Sequence, residues 1–105
     1  MLKGHLDLLL LAVLLPQPAH GYAIIEGLRR ASGGTFDLPE GTVYPALHKL
    51  EQEGWIEAEW KQTENNRRAK FYSLTGPGRK HLDAESANWN RLSSAISRVI
   101  RVKKA

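Results

Sequence analysis

The side chains between Thr42 and Lys49 raise the first chemical question. Within "GTVYPALHKLEQEGWI", residues 41–56, Thr42 and Tyr44 offer hydroxyls, His48 an imidazole and Lys49 an ammonium group. Neutral and cationic donors mixed in this way suit phosphate oxygens, and a histidine can also bond a base edge. A second cationic set follows at Arg67, Arg68 and Lys70, and Tyr22 adds another hydroxyl. Each group also has a plainer use. Tyr22 and Tyr44 suit a core, Thr42 a helix end, and His48 and the cations a solvated face. Nothing here looks catalytic: there is no nucleophile elbow, no glycine-rich phosphate loop and no paired carboxylates in an apolar setting. "GPGR" at 76–79 is too short to count as such a loop. Cysteine is absent, and the histidines at 5, 20, 48 and 81 share no close ligand spacing. No disulfide, metal or cofactor is therefore expected, and the chemistry is that of binding rather than catalysis.

The charge distribution points the same way. Residues 1–60 hold four Lys/Arg against eight Asp/Glu, whereas residues 61–105 hold eleven against three. A basic half within a chain of net charge +4 fits either a polyanion partner or a solvated basic helix. The apolar run "LDLLLLAVLLP" is shorter than the ~20 residues that span a bilayer. Asp7 interrupts it, Pro16 stops it, and Lys3 alone would serve as the basic flank of an export signal. A cytoplasmic protein with no membrane partner is expected.

At 105 residues the chain suits one domain with a modest core. Residues 3–15 predict a helix apolar nearly all round. Such a helix is buried on two sides, one facing the core and the other a second subunit through Leu6 and Leu10. "PQPAHG" predicts a turn. Residues 21–32 predict a second helix with Tyr22, Ile25 and Leu28 on its inner face and His20 at its start. "TFDL" reads as a short extended piece or minimal strand. A third helix follows over 39–53, with Pro39 in its first turn and Val43, Leu47 and Leu50 facing inward. Pro45 lies inside it, at a normal cost of roughly 3 kcal/mol. The residue four before it is Gly41, whose backbone adjusts easily. "WIEAEWKQ" alternates as a strand, with Ile56, Ala58 and Trp60 on one side. Trp55 and Trp60 are read as core or wing root. "TENNRR" makes a turn, and "AKFYSLT" returns as the second strand of a hairpin. Thr75 can cap a last helix running to about residue 101. Leu82, Trp89 and Ile96 recur every seven residues on it, with Leu92 and Val99 interleaved. Such a seam fits a helix partner, and Glu85 alone breaks it.

Helix, helix, short strand, helix, hairpin and long helix is the order of a winged helix-turn-helix, an α+β but mostly α fold. The expected division is a winged helix-turn-helix domain over 1–75 and a dimerisation helix over 76–105. "HGYAIIEGL", "GTVYPALHKLEQEGWI" and "RRAKFYSLT" resemble, in this order, the PadR family of bacterial transcriptional regulators, over about residues 5–76. The resemblance implies a homodimer held by its terminal helices that binds double-stranded DNA and represses transcription. It implies DNA contact by Thr42, Tyr44 and Pro45. It also implies that Trp89 lines an interfacial pocket for a small aromatic effector, although a plain packing anchor explains Trp89 too. A dimeric ligand-binding or protein-docking module without DNA binding is the alternative.

Overall fold

The computed structural model describes residues 5–104, with side chains described as far as Arg101. Positions 3 and 4, expected to open the first helix, lie outside the described residues. Seven elements follow in order: α1 (Leu6–Leu14), β1 (Ala19–His20), α2 (Gly21–Ala31), α3 (Glu40–Gln52), β2 (Ile56–Gln62), β3 (Arg68–Leu74) and α4 (Gly76–Lys104). The three strands form one antiparallel sheet in the order β1-β3-β2.

The helices form where apolar spacing and end signals agree. His20 caps α2 through its side chain, with Nδ1 accepting from the Ala23 N–H at 3.3 Å. At the end of α3 the Trp55 N–H reaches back to the Leu50 carbonyl at 3.1 Å, closing the helix with a turn. Thr75 caps α4 by accepting the Gly78 N–H at 3.0 Å. The core gathers Leu10, Leu11 and Leu14 from α1, Ile24 and Leu28 from α2, and Val43, Leu47 and Leu50 from α3. Ile56 and Tyr72 close it from the wing and Leu82 from α4.

Several expectations are corrected by packing. "TFDL" is not a strand, because no sheet edge runs beside it; Leu38 buries itself in the core instead. The third strand lies in the segment expected to be a turn. Ala19 and His20 pair with Tyr72 and Phe71, using the free edge of β3. The inner face of α2 is Gly21, Ile24 and Leu28, and Tyr22 points outward with 63% of its surface exposed. Pro39 precedes the first turn of α3 as its cap residue, with its carbonyl accepting from Thr42 and Val43. Leu10 and Leu82, expected at a dimer face, are 0% and 4% exposed within their own chain and belong to its core. Trp60 keeps the alternation of Ile56 and Ala58 but is 58% exposed, because the hairpin runs on past the edge of the core.

The end of α4 lies beyond the expected residue 101. Its 29 residues span about 43 Å at 1.5 Å per residue, and they account for most of the 59 Å long axis of the molecule. The start of α4 is latched to the turn between α3 and β2. The Thr75 N–H donates to the Trp55 carbonyl at 3.1 Å, and the Thr75 hydroxyl lies 2.7 Å from the Gly54 carbonyl. One turn on, the His81 ring stacks on Trp55 with centroids 4.3 Å apart.

A candidate nucleic-acid interface on α3 and the wing

α3 turns Val43, Leu47 and Leu50 into the core, which forces the intervening residues outward. Gly41, Tyr44, Pro45, His48 and Lys49 are exposed and Thr42 is half-buried. The helix runs unbroken through Pro45, which leaves the Gly41 carbonyl without the N–H that would normally come from four residues on. A side chain at Gly41 would meet nothing within 4 Å, so this end of the helix is open to an approaching backbone.

Tyr44 is placed by a contact that spacing does not reveal. The hydroxyl-bearing edge of its ring lies against Gly21, the first residue of α2, and a methyl group built on Gly21 would clash with that edge, 2.6 Å from Cζ. The "GY" of α2 and the "VYP" of α3 are thus one fitted joint. Tyr44 retains 41% of its surface, so the ring is seated while part of it stays open. Tyr22 stands beside it without packing beneath α3.

The wing supplies the second part of the site. Asn66 adopts φ +63° in the hairpin turn, and the Thr63 N–H donates to the Arg67 carbonyl at 2.6 Å. Arg67 and Arg68 project from this end, with the Arg68 guanidinium 5.5 Å from the Trp60 ring centre. Lys70 is engaged within the domain. Its ammonium group lies 3.2 Å from a Glu51 carboxylate oxygen, strapping β3 to α3. That hydrogen bond holds the Lys70 pKa above the ordinary lysine value. Lys70 is therefore partly neutralised, whereas Lys49, Arg67 and Arg68 have no ion-pair partner among the described residues. Burial raises the Tyr72 pKa and keeps the phenol neutral beneath this strap.

The second candidate surface is the outer half of α4. Trp89, Leu92, Ile96 and Val99 are between 40% and 61% exposed among the described residues. Leu6 is half-buried on the neighbouring face of α1. Trp89 meets the His5 ring edge-on at 4.9 Å, beside a depression of about 110 Å³ that Leu8, Glu85, Asn88 and Leu92 also line. No group of three or more metal-ligating side chains occurs among the described residues. No described helix is long and apolar enough to cross a membrane.

The transcriptional regulator PadR-like family matches residues 10–84. The chain belongs to this family. A PadR-like transcriptional regulator from Bacillus cereus superposes with a TM-score of 0.84 at 25% identity, over 95% of each chain. A transcriptional regulator from Streptococcus does so with 0.83 at 30% identity, over 93% of this chain and 94% of that one. An uncharacterised protein of Lysinibacillus sphaericus is 26% identical over 91% of this chain and 88% of its own length. The chain is accordingly a PadR-like transcriptional regulator with the winged-helix fold and a long C-terminal helix.

Sequence reasoning found the exposed donors of α3 and the wing arginines. It missed Gly21 as the seat of Tyr44 and placed Trp60 too far inward. The signals present were a glycine at the first position of a helix, and a tryptophan two residues beyond the last core position of its strand.

Proposed function

We propose that the protein is a cytoplasmic, homodimeric repressor that reads an inverted repeat. Each α3 enters a major groove, on half-sites about one helical turn apart. Thr42, Tyr44 and Lys49 donate to phosphates, and His48 faces a base edge. Pro45 and Gly41 let the helix approach closely, while Arg67 and Arg68 hold the flanking backbone. The observation that carries this reading is the shared outward face of Tyr44, His48 and Lys49 on α3, flanked by two wing arginines without carboxylate partners among the described residues. The exposed seam of Trp89, Leu92, Ile96 and Val99, with Leu6 beside it, closes the dimer. A small flat aromatic effector on Trp89 relieves repression by changing the angle between the two α4 helices.

A gel-shift titration on the chain's own promoter region tests the DNA reading. Specific DNA should compete far better than random DNA at physiological salt, and equal competition refutes the reading. The double substitution Tyr44→Ala with Lys49→Ala should abolish specific binding while leaving the dimer intact. A protein-docking module would bind DNA no worse after this change.

A further inference from the structure

We propose that the cleft between α3 and the wing holds one wall of the DNA groove, with Trp60 packed on the deoxyribose faces of that strand. The inference rests on the DNA reading above and adds a binding residue to it. The cleft has a volume of about 380 Å³ and is lined by Tyr22, Tyr44, Trp60, Lys70 and Tyr72, with Gly21 in its lining beneath Tyr44. His20, which caps α2, and Ala69 complete the lining; no carboxylate lines it among the described residues, and the charge of its lysine is partly neutralised by Glu51.

Two features select the occupant. Trp60 is 58% exposed on the strand face that continues from Ile56 and Ala58, so its ring looks into the cleft rather than away from the domain. Arg68 lies over that ring at 5.5 Å, which sets a cation at the rim of a neutral, aromatic trough. A bare phosphate would need charge inside the trough, and an uncharged apolar ligand would gain nothing from the cationic rim. A sugar–phosphate strand offers both parts, apolar deoxyribose faces for the rings and phosphates for Arg68 and the tyrosine hydroxyls. The position agrees. A helix within a groove and a wing outside it must have one strand between them, and this cleft lies between the wing on one side and Tyr44 of α3 with the start of α2 on the other.

A ring on a sugar releases no counterions, so it supplies affinity that salt does not remove. Anisotropy titrations of a labelled promoter duplex over a range of salt concentrations provide the test. Trp60→Ala should weaken binding about tenfold at every salt concentration, leaving the slope of log K against log salt unchanged. Trp60→Phe should recover most of the loss. Lys49→Ala should instead reduce the slope by about one. The side chain is exposed, so both Trp60 variants should melt like the parent. Binding by Trp60→Ala within about twofold of the parent would overturn the proposal, as would a loss seen only as a change of slope. If Trp60→Ala is silent while Lys49→Ala is not, DNA binding stands and the cleft serves some other ligand. If the parent binds the promoter duplex no better than random DNA, the DNA reading itself fails and this inference falls with it.

Discussion

Gly78→Ala should unhinge α4 from the winged domain, and Gly76→Ala, two residues away, should not. In a helix, Gly→Ala normally stabilises by about 0.8–1 kcal/mol. At Gly76 an added methyl group meets nothing within 4 Å, so that gain is open to it. At Gly78 the methyl would land on the Trp55 carbonyl oxygen, 2.8 Å from its carbon and 3.2 Å from Thr75 Oγ1. The obstacle is backbone and cannot rotate aside. Relief requires the first turn of α4 to lift, which breaks the bonds of Thr75 to Trp55 and Gly54. Overpacking costs roughly 1–3 kcal/mol, and the two hydrogen bonds are worth about 1 kcal/mol each. After the helix gain, a net loss of about 3 kcal/mol remains. For a domain of this size that lowers Tm by about 12 °C or more. Thermal melts followed by circular dichroism, at one fixed protein concentration because assembly shifts Tm, provide the assay. A Gly78→Ala variant melting within about 2 °C of the parent would refute the reasoning. So would an equal drop for Gly76→Ala.

Three more predictions follow from the packing. Gly21→Ala should destabilise the fold by about 1–3 kcal/mol and weaken DNA binding by displacing Tyr44. The double change with Tyr44→Ala should recover stability but not DNA affinity, since the clash has gone and the hydroxyl with it; chemical denaturation of the full cycle measures the coupling. Ile96→Glu should weaken self-association by ~100-fold or more, because it sets an unpaired charge in the seam; sedimentation velocity reads the shift, and unchanged helix content shows that the domain still folds. The Lys70–Glu51 strap should be insensitive to pH near neutrality. The folded pKa of Lys70 is raised, so its contribution is fully present below the unfolded value and is lost only as pH rises through the folded one, in the alkaline range. Lys70→Met should therefore lose at most about 1 kcal/mol at pH 7, as expected of a half-exposed pair, and the difference from the parent should vanish in alkaline solution; denaturation at pH 7 and above pH ~11 checks both arms.

The elements were largely legible because their signals are local. Val43, Leu47 and Leu50 mark the inner face of α3 by spacing alone, Thr75 marks the start of α4, and the asparagines before Arg67 mark the hairpin turn. The same holds for the outward donors of α3, since whatever is not inward on a helix packed on one side must face out. Strand β1 was not legible: two residues carry no periodicity, and they become a strand only because β3 presents a free edge to them.

The sequence by itself determined the order of the four helices and the hairpin, the winged arrangement, the basic second half and the apolar seam of α4. These depend on residues within a few positions of one another. Only the tertiary structure decided which aromatics are enclosed. Tyr72 lies in the core, while Tyr22 and Trp60 stand outside it and Tyr44 rests on Gly21. It also decided that Lys70 straps the wing to α3 and that Gly78 makes room for the Trp55 carbonyl. Each of these is a contact between residues distant in the chain. Close packing sets them, because the space left for a side chain depends on what the opposing element brings.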